Sequence, residues 1–291
     1  MPLPRLRALL PTSNLTRHIP SSPVFYQLSR TASSTAAPVT EALPSRWLSD
    51  LKRRIGKCII FGLKQEQVDE AGEILRVVAR EWRELVAGSE GFLTGRRRAG
   101  AEGKEVVWGD MMLGIGLGCY GHVNNVTYVK YAESGRINWA QHFANHIDPK
   151  HKKEWSELWT SKGNGLILRS MKTDYKFPMA WPDRISVYHK LRSAPTAATD
   201  SFILDVLILS EKHQRPAARC VEDIVVYDYR RGAKSPLRDF MVEKFQETFE
   251  LQEKAKKRNK RRINDLLERV ETLEKGSWNR VDAVEDMGSV G

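Results

Sequence analysis

The sequence has few cysteines and no long apolar run. Cysteine occurs at positions 58, 119 and 220 of 291 residues, without the Cys-x-x-Cys spacing of a metal or redox site. Such a scattered, odd-numbered set does not build a disulfide framework and fits a reducing compartment. The longest apolar stretches, 58–63 and 203–209, are far shorter than the roughly twenty residues of a membrane-spanning helix. The composition points towards a globular protein with its own core.

Acidic residues are absent from the opening of the chain, where the first is Glu41. The residues before it are rich in serine and threonine and carry arginine at positions 5, 7, 17 and 30. An arginine-rich, serine-rich and acid-poor segment is typical of a mitochondrial transit peptide. Prolines at 2, 4, 11 and 20 would interrupt an amphipathic helix, so a plain disordered tail is the alternative. We predict that residues 1–40 direct the protein to the mitochondrial matrix.

The stretch 106–143 has the most distinctive pattern. A short strand-like run at 106–108 leads into a glycine-rich connection and then into Gly121-His122-Val123-Asn124-Asn125. Residues of one helix face follow at three- and four-residue spacing: Tyr128, Ala132, Gly135, Trp139 and Phe143. Asn124 or Asn125 can cap this helix, since its side-chain oxygen accepts from a first-turn amide. The pattern predicts a strand, a loop and a helix whose positive end suits an anion or a carbonyl oxygen.

Four strand-like segments follow and are separated by short turns: 165–177, 183–192, 202–211 and 219–229. In the second, Ile185, Val187 and Leu191 alternate with polar residues, which indicates one buried face. Successive strands with short turns predict an antiparallel sheet. Before the centre, 47–55 and 65–86 have helical patterns, and 88–104 is predicted to be a loop.

The central residues resemble the signature of the hydroxybenzoyl-CoA thioesterases, a family with the HotDog fold. The family pattern runs Trp-Gly-Asp-Met-Asp, then Gly-His-Val-Asn-Asn, then a helix of the type Tyr-Val-Lys-Tyr-Ala-Glu-Ser-Gly-Arg. The chain matches it at Trp108 to Met111, Gly121 to Asn125 and Tyr128 to Arg136, with a further match at Asp174 to Pro178 and Pro182 to Ile185. The resemblance spans residues 105 to 240 and implies an α+β chain, in which a five-stranded antiparallel sheet wraps a long central helix.

The domain organisation follows from this resemblance and the flanking patterns. We expect a helical extension and loop at 41–104, the HotDog domain at 105–240, a basic amphipathic helix at 241–275 and a disordered tail at 276–291. The resemblance implies an acyl-CoA thioesterase, assembled as a homodimer or tetramer because HotDog active sites form where two protomers pair. It implies neither a cofactor nor a metal.

The resemblance also assigns the site. It gives the oxyanion-binding amides to the junction at Gly121 and Val123, with substrate contacts extending to Asn124 and Asn125. The aspartate that the family places before the Gly-His pair corresponds here to position 118 or 112, occupied by glycine and methionine. The difference goes with an insertion of about six residues within 112–118, beside glycines that allow a looped-out conformation.

Three other residues are therefore candidates for the catalytic group. Asp110 is the nearest remaining carboxylate, His122 is a potential base, and Glu133 lies within the predicted helix. The altered position also leaves a second interpretation open. The chain would then be a catalytically silent HotDog protein, serving as an assembly factor or a structural subunit of a mitochondrial complex such as the ribosome.

Two further site types are weaker alternatives. His142, His146 and His151 suggest a metal site, because residues at i and i+4 lie on one helix face. The pattern does not fix a third ligand, however. Glycines at 116, 118 and 121 have the Gly-x-Gly-x-x-Gly spacing of a dinucleotide-binding loop. No second parallel strand ending in an acid follows them, which argues against a dinucleotide site.

The final helix is strongly basic. Seven cations crowd into 254–262, which indicates either a solvated helix face or contact with RNA or anionic membrane. Beyond them Ile263, Leu266, Val270 and Leu273 repeat at the spacing of a short coiled-coil seam. We expect the sheet domain to fold without this helix.

Overall fold

The computed structural model describes residues 43–96, 101–105 (backbone only), 121–161 and 163–283. These residues belong to one compact unit. Its centre is an antiparallel sheet in the order β1-β3-β4-β5-β2, with a two-residue strand, β6, paired to the end of β5. The strands are β1 Ala101–Glu105, β2 Asn164–Tyr175, β3 Arg184–Leu191, β4 Ser201–Ser210, β5 Arg215–Asp228 and β6 Ala233–Lys234. The four strands expected after the central helix are confirmed, as is their antiparallel pairing.

The central helix, α3 (Asn125–His142), lies on one face of this sheet. Its buried residues Tyr128, Tyr131 and Ala132 pack against Val187 and Val206 of the sheet. The helix face predicted from sequence is confirmed, because all five of its members are buried. This arrangement of one long helix against an antiparallel sheet is the HotDog architecture.

A second layer of helices covers the opposite face. It consists of α1 (Trp47–Ile60), α2 (Gln65–Gly88) and the 37-residue α5 (Asp239–Lys275), whose first turns also pack against α3 through Phe245 and Trp139. Tyr188 and Leu207 of the sheet pack into this layer, whereas their chain neighbours Val187 and Val206 face α3. Successive residues of a strand point to opposite faces, so β3 and β4 are buried on both sides.

Ion pairs fix α5 antiparallel to α2. Arg269 of α5 lies 2.6 Å from Glu70. Closer to the start of α5, Arg262 pairs with Glu81 and Arg258 with Glu84. The apolar seam of α5 faces α1 and α2, and Ile263, Leu266, Val270 and Leu273 are all buried there. The seam is therefore part of the core of this chain.

The structure departs from the sequence predictions in several places. A strand occupies 101–105, which was predicted to be loop, because this segment pairs with β3 from Ala101↔Val187 to Glu105↔Arg184. The predicted strand at 106–108 lies outside the described residues. The helix predicted at 47–55 continues to Ile60, and the short α4 (Lys152–Glu157) was not predicted. Within the tail predicted to be disordered, Ser277 is buried and Trp278 packs against the core.

None of the helices within the described ranges is long and apolar enough to cross a membrane.

Candidate functional site

The predicted start of the central helix, with an asparagine cap, is confirmed at the beginning of α3. Gly121 has a φ of 73°, a left-handed conformation that favours glycine. Asn124 caps the helix, its Oδ1 accepting from the amide of Val126 at 3.0 Å. The amide of Asn125, the first helical residue, is one of those that an α-helix leaves without an intrahelical partner. It can therefore donate to a ligand oxygen at the positive end of the helix dipole.

Much of the motif serves the scaffold. The amide of Val123 donates to the carbonyl of Met179 at 2.7 Å, so this amide is already engaged. Tyr128 accepts from the amide of Met179, and the hydroxyl of Tyr175 donates to the carbonyl of Asn125. These contacts tie the start of α3 to the segment after β2. They give the match at 174–178 a structural reason.

The second match, at 182–185, also has a structural role. Asp183 is buried and accepts from the amides of Arg184 and Lys212 and from the hydroxyl of Ser210. It thereby joins the start of β3 to the turn between β4 and β5. Its carboxylate is fully used in the fold and is not a candidate for chemistry.

His122 is partly buried beside the junction. Its Nδ1 lies 3.1 Å from the carbonyl oxygen of Val123, which can only accept. The hydrogen therefore belongs on Nδ1, and in the neutral ring Nε2 carries the lone pair. That tautomer can act as a base.

The three candidate catalytic residues are not brought together in the described part of one chain. Asp110 lies outside the described residues. Glu133 lies eight residues into α3 from Asn125, which at a rise of 1.5 Å per residue places it about 12 Å along the helix. A carbonyl group cannot contact the amide of Asn125 and the carboxylate of Glu133 of the same protomer.

Glu133 lies at a cavity beside α3. The cavity has a volume of about 140 Å³ and its polar lining comes from Glu133 and Arg136. The remaining lining is apolar: Ile137, Trp139, Trp159, Leu166, Leu168, Phe202, Leu204 and Ile224. An apolar cavity of about this size holds a small organic group such as one six-membered ring.

Beneath the cavity lies a buried ion pair that the sequence analysis missed. Arg136 donates to Oε1 of Glu222 at 2.6 Å, and Glu222 is fully buried on the face of β5 that meets α3. Burial, with a smaller contribution from the charge of Glu133, raises the pKa of Glu222 to about 7 against the attraction of Arg136. The sequence did contain a signal for it, because Glu222 alternates with Cys220 and Ile224 and therefore shares their buried face of the strand.

His189 completes this buried group. It is 1% exposed, and burial followed by the nearby Arg136 lowers its pKa to about 3. The imidazole is therefore neutral, and its 3.7 Å approach to Glu222 is not an ion pair at neutral pH. The charge of Glu222 is balanced by Arg136 alone among these three side chains.

The histidines considered as metal ligands are used differently. The rings of His142 and His146 lie 5.6 Å apart, and burial lowers the pKa of His142, with a smaller effect from His146. His151 instead bonds Asp148 at 2.8 Å and stacks on Phe240. Within the part of the chain that the structure describes, there is no group of three or more ligands able to hold a metal ion.

The sheet with α3 on one face is typical of HotDog proteins, and a family model agrees with this fold. Residues 106–245 match the model of the thioesterase-like superfamily. This match agrees with the HotDog arrangement of α3 and the antiparallel sheet in the structure. No curated protein matches the sequence.

Solved thioesterase structures overlap about half of the chain. A thioesterase from Thermus thermophilus, complexed with coenzyme A and zinc, is 22% identical and covers 51% of this chain and 97% of its own, with a TM-score of 0.37. A 1,4-dihydroxy-2-naphthoyl-CoA thioesterase from Synechocystis is 16% identical, with coverages of 49% and 91% and a TM-score of 0.38. A DHNA-CoA thioesterase from Staphylococcus aureus is 12% identical, with coverages of 50% and 85% and a TM-score of 0.37. All three TM-scores are below 0.5.

Proposed function

We propose that this protein hydrolyses acyl thioesters of coenzyme A, with Glu133 as the catalytic carboxylate. The observation that carries the proposal is the apolar cavity beside α3, which has Glu133 at its polar side. The cavity would hold the acyl group. Glu133 would attack the thioester carbonyl or activate a water molecule, and the amide of Asn125 would bind the developing oxyanion.

The separation of these two groups requires a second protomer. Exposed apolar residues run along α3 on both sides of Glu133: Val126 is 62%, Val129 37% and Ile137 38% exposed. A second copy covering this stripe would remove it from water. If two α3 helices pair antiparallel with a twofold axis near Val129, Asn125 of one copy lies opposite Glu133 of the other. We therefore propose a homodimer as the active unit.

A thiol-release assay tests the proposed reaction. The full chain is assayed with short, medium and aryl acyl-CoA substrates, together with Glu133→Gln and Asn125→Pro. Proline is tolerated at the first position of a helix but removes the amide hydrogen, and Asn124 already has the extended conformation that proline requires of its predecessor. Glu133→Gln should lower kcat by about 10²–10⁴-fold, and Asn125→Pro by about 10²–10³-fold.

Matched variants control for each change. Glu250→Gln alters an exposed glutamate of α5, and Asn125→Ala removes the side chain but keeps the amide. Both should retain activity. A fully active Glu133→Gln enzyme would contradict the assignment, and loss of activity in Asp110→Asn or His122→Gln instead would move the catalytic role to that residue.

The cellular location is a proposal of its own. We infer that the protein acts in the mitochondrial matrix, which the arginine-rich and acid-free opening of the chain supports. Fusing residues 1–40 to a fluorescent protein should direct it to mitochondria. A cytosolic fusion would contradict the proposal.

A second candidate function is that of a catalytically silent subunit of a mitochondrial ribonucleoprotein. It is favoured by the cations of α5 that point outward, of which Lys254, Lys257 and Arg261 are exposed. The pairing of Arg258 and Arg262 with acids of α2 reduces the charge available in this run. This candidate predicts salt-sensitive RNA binding that is lost in a Lys254→Gln/Lys257→Gln variant, together with no thiol release from any acyl-CoA.

A further inference from the structure

The end of α1 carries apolar side chains outside the core. Ile59 and Ile60 are 55% and 49% exposed, although the preceding Ile55 and Cys58 are buried. Phe61 follows them and is half-buried. We call Ile59, Ile60 and Phe61 the α1 tip. It belongs to the helical layer on the face of the sheet opposite α3, so it is separate from the candidate thioester site.

The α1 tip lies in a basic stretch of the chain, and Lys57 lies 5.8 Å from the ring of Phe61. Residues 51–64 contain five basic residues and no acidic residue. The guanidinium of Arg54 is held by Glu274 at 2.6 Å. The side chain of Arg53 is 74% exposed and pairs with Asp50. Because an exposed ion pair has a small interaction energy, Arg53 can still contact another anionic group. Lys64 is exposed, and Lys57 lies over the ring of Trp278.

We propose that the α1 tip binds the surface of an anionic lipid bilayer. Ile59 and Ile60 would enter the boundary between headgroups and acyl chains, while Arg53, Lys57 and Lys64 contact the headgroups. The combination favours this partner because exposed aliphatic groups gain nothing from a purely ionic ligand, and the flanking cations complement anionic lipid. Binding is peripheral and reversible, since the apolar part is short.

Vesicle co-sedimentation of the full chain tests the proposal. The protein is mixed with neutral phosphatidylcholine vesicles or with vesicles that also contain an anionic phospholipid. It should bind the anionic vesicles in a salt-sensitive manner and bind the neutral ones weakly. Replacing both isoleucines, Ile59→Ser/Ile60→Ser, should lower the affinity at least about tenfold, and Arg53→Gln/Lys64→Gln should lower it about thirtyfold.

Matched variants separate this surface from others. Val68→Ser changes a valine that is 47% exposed but flanked by Glu66 and Asp69, and it should leave vesicle binding unchanged. Absence of vesicle binding, or equal loss in Val68→Ser, would overturn the proposal. So would loss only in Lys254→Gln/Lys257→Gln, which would place the contact on α5. A changed oligomeric state of Ile59→Ser/Ile60→Ser in light scattering without lipid would show that the α1 tip binds protein instead.

Discussion

Glu222 shows how one buried residue sets a pH dependence. The usual pKa of a glutamate is 4.5, and burial raises that of Glu222 to about 7 in the folded protein. Between these values the folded state binds more protons than the unfolded state, so stability falls as pH rises. The contribution is fully present below about pH 4.5 and is lost as pH passes the folded pKa near 7.

Replacing this carboxyl tests that dependence. Glu222→Gln cannot ionise, so the difference in unfolding free energy between wild type and variant should change by roughly 3 kcal/mol between about pH 4 and 8. Urea unfolding at the two pH values measures it. Asp223→Asn is the neighbouring control, since Asp223 pairs with Arg169 on the exposed side of the strand. An identical pH response in wild type and Glu222→Gln would contradict the assignment.

Gly135 determines how closely α3 approaches the sheet. A Cβ at this position would lie 2.7 Å from Cγ1 of Val187 and 2.8 Å from Cε1 of His189, which is too close for either atom. Gly135→Ala should therefore lower the free energy of unfolding by about 1–3 kcal/mol. Gly56→Ala is the matched control, because a Cβ there meets nothing within 4 Å and alanine favours the helix. Equal effects of the two variants on thermal unfolding would show that the close approach is unimportant.

At the scale of elements, α5 is a part of the core. Its side chains Met241, Phe245 and Ile263 are fully buried, and the side-chain amide of Gln252 accepts from the amide of Leu191 and donates to its carbonyl. The expectation that the sheet domain folds without α5 is therefore replaced by the opposite prediction. A chain truncated after Phe240 should lose cooperative unfolding, because the truncation exposes the outer face of the sheet.

A milder change tests the same point. Ile263→Ala should lower the free energy of unfolding by about 2–5 kcal/mol. Leu251→Ala, at a residue that is 37% exposed, should cost much less. Circular dichroism during denaturant unfolding compares them. A small effect of Ile263→Ala would indicate that α5 docks loosely.

The sequence was informative where local patterns decide the structure. The alternation of Ile185 and Val187 and the capping by Asn124 are short-range signals, so the strands and the start of α3 could be predicted. The pairing of β1 and the docking of α5 on α2 depend on partners that are distant in the sequence, which no local pattern specifies. The candidate site also depends on residues that are distant in the sequence. Glu133 could be named, but its cavity and the pair of Arg136 with Glu222 arise only when β5 lies under α3.

At the scale of the whole molecule, the two faces of the sheet differ in what lies against them. The outer face of β3 and β4 is covered by the layer of α1, α2 and α5 of the same chain. The α3 side carries the exposed stripe of Val126, Val129 and Ile137 and the cavity with Glu133. Because the outer face is already covered, a second copy is expected on the α3 side. This surface is also where the proposed chemistry takes place.

Subunit mixing tests this central claim most directly. Asn125→Pro and Glu133→Gln, each inactive as a homodimer, are mixed under conditions that allow exchange, and heterodimers are counted by native mass spectrometry. One of the two sites in each heterodimer is then intact, so a statistical mixture should regain about a quarter of wild-type thiol release. A mixture that contains heterodimers but remains inactive would show that Asn125 and Glu133 do not form a shared site between protomers.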